Sequence, residues 1–360
     1  MDRVAETLHR ELLRCGEISV ELVRPAMRRF FTRLPGLGRH RRAFNADRFI
    51  NRFLVYPALL GRMRGCFDLF HLADHSYSQL VHGLDPRRVL VTCHDLDTFQ
   101  CLLEPARHPA GSAYRFMASR ILAGFRKAAR ATCDSQATLD GVLRHGLLPA
   151  SRATLCRMGV DEVFFSAGTG ADEPGPPTLI HVGSTIPRKR IDILLKVFAG
   201  IRERLPQTRL VRVGGHLTVE QASLAEKLGV GEGVDSRVGV SEAELCKLLA
   251  GGTLLLLPSE AEGFGLPVVE AMAAGTPVLC SDLPVLREIG GQAACYAPVA
   301  QVGPWVDQAC GLLEESVGDP DSWSARREAA RRQAAGFTWA AAAANFVAIY
   351  KEMLEELAVP

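Results

Sequence analysis

The stretch from Thr253 to Cys280 leaves the least freedom of fold. Thr253-Leu-Leu-Leu-Leu257 is a short apolar run of the kind a buried parallel strand uses. A loop with two acids and two glycines follows, Pro258-Ser-Glu-Ala-Glu-Gly-Phe-Gly265. Pro267 stands where a helix begins, since its missing N–H would have gone unpaired there anyway. Gly275 ends that helix, and Pro277-Val-Leu-Cys280 resumes a strand. The order strand, loop, helix, turn, strand is that of an α/β protein with a parallel sheet. The helix start turns free N–H groups towards the loop mouth, a ready site for an anion such as a diphosphate. Gly263 and Gly265 let a ligand come close to the backbone.

Two carboxylates flank that mouth. Glu262 lies in the loop and Glu270 one turn into the helix, with seven residues between them. Carboxylates accept pairs of hydrogen bonds from vicinal hydroxyls, so acids beside a phosphate site suit sugar or ribose rings. Taken singly, Glu270 also reads as a complement to the helix dipole and Glu262 as a solvated loop acid.

The whole string Glu262-Gly-Phe-Gly-Leu-Pro-Val-Val-Glu270-Ala-Met-Ala-Ala-Gly-Thr-Pro-Val278 resembles the Glu-x7-Glu signature of retaining glycosyltransferases of family 4. The resemblance implies the GT-B architecture, two Rossmann-like domains with parallel sheets facing across a cleft. It implies that Glu270 holds the nucleotide ribose and Glu262 the hydroxyls of the donor sugar. Backbone N–H groups near Gly265 and Leu266 would then meet the diphosphate, with Gly263 and Phe264 also counted among the donor-binding residues.

At 360 residues the chain suits two domains, each able to bury its own core. Ten scattered cysteines, with no Cys-x-x-Cys pair and no metal-ligand spacing, read as reduced thiols of a cytosol. No apolar run approaches the roughly 18 residues of a spanning helix, and the charged first dozen residues do not read as a secretory signal. The near-neutral total hides an asymmetry. Residues 1–150 carry 23 Lys and Arg against 14 Asp and Glu, a net of +9; the rest carries 19 against 26, a net of −7, giving the +2 of the whole chain. A basic first part suits anionic lipid, a lipid-linked phosphate or another polyanion, and equally a solvated arginine-rich surface.

Asp2 to Leu13 has helical spacing, with Val4, Leu8, Leu12 and Leu13 on one face, and Ile18 to Val23 has the composition of a strand. Family 4 chains begin with a strand and a Gly-rich loop ahead of such a helix. Here the sequence opens in the helix, so the first N-domain strand is expected to be absent, through a start site placed downstream or through true loss. Arg24 to Arg64 is dense in arginine with interleaved aromatics, and Pro35-Gly-Leu-Gly38 breaks it in two. It reads first as a helical pair lining an acceptor groove and second as a membrane-surface segment, with nucleic acid set aside for want of any accompanying motif.

Asp68 to Leu72 and Val89 to Cys93 read as parallel strands whose C-terminal ends carry Asp74-His75-Ser76-Tyr77 and Thr92-Cys93-His94-Asp95. Ligands in open α/β sheets bind beyond those ends. Thr-x-His-Asp resembles the N-domain strand end of the family, which implies a place for His94 at the donor sugar's reacting face. Asp74 and His75 are further candidates on the acceptor. Strands are also expected over Ala131–Ser135, Arg152–Met158, Thr178–Val182, Thr208–Val213 and Val234–Val240. Ser135 and Ser241 read as helix caps, Ser241 with Glu244 as a capping box. The resemblance places Val240 beside the nucleobase.

Between strand Thr178–Val182 and the helix from Ile191 lies Gly183-Ser-Thr-Ile-Pro-Arg-Lys-Arg190. Arg188 and Lys189 there can neutralise a departing diphosphate. The loop resembles the family's Gly-x…Arg-Lys-Gly, with two departures: Ser184 replaces the usual Arg, and Arg190 the usual Gly. The expected domains are 1–165 on the acceptor side, a Gly/Pro-rich linker 166–177, a nucleotide-sugar-binding domain 178–337, and a helix in 338–360 that crosses back to the N-domain.

The expected chemistry is transfer of a sugar, with retention, from a nucleotide-diphosphate-sugar donor to a glycan or lipid-linked acceptor in bacterial-type cell-surface polysaccharide or glycolipid assembly. No cofactor is expected, the nucleotide sugar being a substrate, and no metal, because cations and helix dipole take its place. The expected location is the cytoplasm, with peripheral contact to an anionic membrane through the basic N-domain. Two rivals share the architecture: an epimerase or phosphorylase, and a non-catalytic nucleotide-sugar-binding subunit or degenerate transferase.

Overall fold

The computed structural model describes residues 2–34, 36, 38, 40–166 and 175–358; most of the expected linker, 167–174, lies outside them. Among the described residues the apolar runs form two all-parallel sheets, one in each of two units. The first unit is Met1–Arg157 with Ala340–Pro360, and the second is Met158–Trp339. The chain leaves the first unit earlier than the expected 165. Beyond that point Val160 bridges to Thr338 and its N–H donates to the carbonyl of Phe337 at 3.0 Å.

The first unit holds β1 (Phe70–Leu72), β2 (Val89–Cys93), β3 (Arg130–Cys133) and β4 (Ala153–Leu155), paired in that order. The central strand β2 is buried throughout, as an apolar run covered on both faces must be. Val89, Val91, Phe99, Ile121, Phe125 and Val142 form its core with the helices Ser112–Lys127 and Gln136–Arg144. The terminal helix Trp339–Ala358 packs here too: Phe346, Tyr350 and Met353 are buried, and Arg130 pairs with Glu352 at 3.4 Å and with Glu356.

Several expectations fail in the first 64 residues. The opening helix, Asp2–Cys15, buries Leu8 and Leu12 but leaves Leu13 half exposed, because its apolar stripe is narrower than the spacing suggests. Residues 18–23 form no ladder; they are largely exposed and find no neighbouring strand. The arginine-rich stretch is not a helical pair. Its first piece is irregular and closes in a turn, Leu34 N–H donating to the Phe31 carbonyl at 3.0 Å, and only the second is helical, running from Arg41 to Met63 through a π turn at Asn51–Val55. Among the described residues the first strand is β1.

The second unit holds β5 (Thr178–Val182), β6 (Arg209–Val213), β7 (Val234–Arg237), β8 (Leu254–Leu257), β9 (Val278–Ser281) and β10 (Cys295–Ala297). Their order is β10-β9-β8-β5-β6-β7. The chain thus builds outwards from β5 in one direction, then returns beside β5 with β8 and builds in the other. The gap between β5 and β8 is the topological switch point, where loops diverge and leave a crevice at the strand ends. β7 is shorter than expected, since Gly239 turns the chain away with φ +69°. β10 has no counterpart in the sequence reading. Leu179, Leu194, Phe198, Leu210, Leu256 and Trp305 pack one face of the sheet into a continuous core.

Candidate active site

The two loops that flank the switch point are those after β5 and after β8. They are tied together along their length. The N–H of Glu260 donates to the carbonyl of Arg188 at 2.7 Å, and Arg188 Nη1 donates to the carbonyl of Ala261 at 2.7 Å. Lys189 Nζ donates to Glu262 Oε1 at 2.6 Å, and Arg188 Nη1 lies 3.4 Å from Oε2. The Glu262 side chain is only 6% exposed, whereas Arg188 keeps 28% of its own exposed. A carboxylate so enclosed is held by paired cations, as a buried charge must be. Arg188, Lys189 and Glu262, singled out from separate motifs, are therefore one cluster.

Arg190 flanks this cluster, with Nη1 3.7 Å from Glu260 Oε2 in the loop after β8. Its guanidinium forms a two-pronged pair with Asp192, 3.0 and 2.9 Å, at the start of the helix Ile191–Arg204. Its φ is +47°, a left-handed backbone that non-glycine residues rarely adopt. The position where glycine was expected is left-handed in this chain, and arginine occupies it with ion pairs to Asp192 and Glu260.

After Glu262 the chain enters the helix Leu266–Ala273 through Gly265, whose φ is +100°. A Cβ there would also stand 2.8 Å from Leu286, so the tight entry requires glycine. Phe264 is buried edge-to-face against Phe337, 5.9 Å between centroids, which anchors the loop from below. Glu270 is buried one turn into the helix. Val240, half-buried, stands beyond the end of edge strand β7, with β6 and β5 between it and β8. Ser241 caps the next helix by accepting from the N–H of Glu244 at 3.2 Å. A reciprocal capping box forms at Thr218 and Gln221.

Two residues beneath this cluster were not foreseen. His181 and Arg212 face each other in register on β5 and β6, and both are fully buried. Arg212 donates to the carbonyls of Gly215 and, at 3.1 Å, of Gly183, stitching together the turns that leave the two strands. Gly214, φ +148°, must be glycine, since a Cβ would collide with the Gly183 carbonyl oxygen. Burial, reinforced by Arg212 and Lys189, pushes the His181 imidazole down to about 3, so it is neutral. Arg212 was legible as a charge flanked by apolar residues in the middle of a strand; His181 gave no signal.

The first unit has its own group at the ends of β1, β2 and β3. His94 Nδ1 bonds the Asp134 carboxylate, and its Nε2 donates to the carbonyl of Ala73 at 2.7 Å. Both residues are buried. Burial opposes charge on His94, but Asp134 outweighs it and raises the imidazole above its ordinary range. The pair retains a proton, with no ring nitrogen to spare. His75 lies 3.8 Å from Asp74 and 3.6 Å from Asp95, and burial, against Asp74, pushes it down to about 4. His71 bonds Tyr350 and Thr92, each at 2.7 Å, and Thr92 bonds Thr132 at 2.9 Å. Among the described residues no group of three or more His, Cys, Asp or Glu is placed to hold a metal ion.

Known proteins match both the sequence and this architecture. Residues 169–303 match the family model of glycosyl transferases group 1. The sucrose-phosphate synthase of Thermosynechococcus elongatus superposes with a TM-score of 0.72 at 19% identity, covering 98% of this chain and 93% of that one. The fold is GT-B. A second GT-B neighbour, WaaG, a glycosyltransferase involved in lipopolysaccharide biosynthesis, gives a TM-score of 0.68 at 19% identity over 97% of this chain and 95% of that one. By sequence, the MMP α-(1→4)-mannosyltransferase of Mycolicibacterium hassiacum is 30% identical over 228 residues, 62% of this chain and 54% of that protein. The match thus spans about half of that relative. In this GT-B chain the matched segment 169–303 contains the loops after β5 and β8 and the whole Arg188–Lys189–Glu262 cluster.

Proposed function

We propose that the chain is a retaining glycosyltransferase of family 4 that moves a sugar from a nucleotide-diphosphate donor to a glycan or lipid-linked acceptor in cell-surface polysaccharide or glycolipid assembly. The observation that carries this reading is the pairing of Lys189 and Arg188 with Glu262 at the switch point. Two cations that need a partner and a carboxylate that can be exchanged for one make a site for a diphosphate. On donor binding, the diphosphate takes over Lys189 and Arg188, together with N–H groups of Gly263 to Leu266 at the helix start. Glu262 is released to the sugar hydroxyls, Glu270 takes the ribose, and Val240 packs on the base.

Bond cleavage puts negative charge on the leaving phosphate, where the two cations stabilise it. The acceptor hydroxyl attacks from the same face, and its proton passes to the leaving phosphate oxygen, which gives retention. His94 has both ring nitrogens engaged, so it steadies the reacting centre by its fixed position and charge rather than by carrying the proton. No metal is assigned, the cations and helix dipole serving in its place. The reaction is assigned to the cytoplasmic face of the membrane; no helix among the described residues is long and apolar enough to cross one.

Thermal melts with UDP, GDP and ADP, with and without magnesium, test the reading, because a bound nucleotide raises apparent stability by mass action. One nucleotide is expected to stabilise selectively, and Glu270→Ala to abolish the shift. No shift with any of the three would remove the donor site and leave a non-catalytic subunit as the reading.

A further inference from the structure

Between Glu21 and Asp68 the sequence carries eleven arginines and a single acid, Asp47. That acid is wholly buried, so it offers no carboxylate at the surface to the arginines around it. Its Oδ1 accepts from the N–H groups of Phe30 at 3.0 Å and Phe31 at 2.8 Å. Its Oδ2 accepts from the N–H of Thr32 at 3.0 Å and the Thr32 hydroxyl at 2.5 Å. One turn further along the helix, Asn51 accepts from the N–H of Arg28 and donates to the carbonyl of Arg28, both at 2.7 Å. Asp47 and Asn51, four apart, thus form a clasp on one helix face that grips the backbone of residues 28–32.

A clasp that holds backbone leaves the side chains outside. Phe30 is 43% exposed and Phe31 40%. Leu34, Phe44, Phe49 and Leu54, on the same segment and the helical stretch it is tied to, are exposed as well. Arg28, Arg29, Arg33, Arg41, Arg42 and Arg48 are interspersed with them. The backbone of Phe30 and Phe31 is bonded in place while their rings stand partly in water. Fixed apolar groups in water are unfavourable unless something covers them. The cover must be apolar at one depth and anionic at the next, because no exposed carboxylate within the stretch answers the guanidinium groups. An anionic bilayer has that profile: aromatic rings settle at the headgroup boundary while arginines reach the phosphates. Stacked bases would satisfy the phenylalanines but not Leu34 and Leu54.

We propose that the clasped segment 28–34 and the helix Arg41–Ile50 form a membrane-docking surface that seats Phe30 and Phe31 at the headgroup boundary of an anionic bilayer. This rests on the clasp and the surface, and stands or falls apart from the sugar-transfer reading.

The test is flotation of the full chain with phosphatidylcholine vesicles, with and without phosphatidylglycerol, at low and high salt. Wild type is expected to float with the anionic vesicles and not with phosphatidylcholine alone. Phe30→Ser with Phe31→Ser should lower the bound fraction about tenfold or more at either salt, through lost apolar burial. Arg29→Glu with Arg33→Glu should lower it mainly at low salt, where charge attraction is unscreened. All four side chains lie outside the core, so both variants keep the fold. The proposal is overturned if wild type floats with neither vesicle. It is overturned equally if the double phenylalanine variant floats like wild type, or if poly(U) RNA retains the chain while vesicles do not.

Discussion

Each unit gathers charged side chains at the ends of its strands, and the two gatherings are built on different plans. In the second unit, Lys189 and Arg188 meet Glu262 across two loops, and Arg188 is open to water. In the first, His94 and Asp134 bond just past the ends of neighbouring strands with almost no exposure, and His71, Thr92, Thr132 and Tyr350 form a separate chain of bonds on the same strands. A pairing between loops can change partners at the cost of a side-chain rotation. A pairing buried at the strand ends cannot change partners without opening the core. The first kind suits a site that a ligand enters and leaves, and the second suits a frame that must not move.

The largest effect that would sharpen this contrast is on turnover. Lys189→Ala is expected to reduce transfer by about a hundredfold to a thousandfold, the usual loss when one donor to developing charge is removed. Near-wild-type turnover in steady-state assays would move leaving-group stabilisation elsewhere. Next is Asp134→Ala, which leaves His94 Nδ1 buried without its partner and should cost about 1–3 kcal/mol in urea unfolding. The nucleotide-induced shift of the second unit should survive it. A loss under about 1 kcal/mol would mean that the dyad is not a strut.

Acid separates the plans further. His181 is neutral when folded, at about 3 against an ordinary 6.5. Between those values the unfolded chain binds a proton that the folded chain refuses, so stability falls as pH is lowered. The slope is about 1.4 kcal/mol per pH unit for this one group. His181→Gln should flatten the decline between pH 6 and pH 4 by that amount in urea titrations, an unchanged slope showing that the ring already finds a proton acceptor. The smallest effect is at Arg190. With φ at +47°, Arg190→Gly should be about 1 kcal/mol more stable than Arg190→Ala, since both lose the pair with Asp192 but only glycine sheds the left-handed strain. Equal melting temperatures would show that the backbone relaxes on substitution.

Much of this was legible in the residues, and unevenly so. Strand β5 and the helix after Gly265 were readable because apolar runs, proline and glycine stand at their ends, and local chemistry alone decides such elements. Arg188, Lys189 and Glu262 were named from separate motifs, but their union required sheet order, which no local pattern encodes. Strand β10 is three residues long and carries too little pattern to notice. The arginine-rich stretch misled because interleaved aromatics look helical. Its first half is not helical, its backbone being captured by Asp47 and Asn51 from further along the chain. His94 was foreseen as a residue of interest, but its partner Asp134, forty positions away, was not.

The order of the chain carries a consequence for synthesis. Residues Met158–Trp339 are contiguous, so the second unit has all its parts once they have left the ribosome. The first unit does not. Its sheet is translated early, yet Phe346 and Tyr350, which cover His71, arrive only with the last stretch of chain. The half that begins first is thus completed last, and until then it presents an uncovered strand surface to the cell. A nascent chain halted at Trp339 would therefore hold a finished second unit and an unfinished first, the reverse of the usual N-terminal-first order.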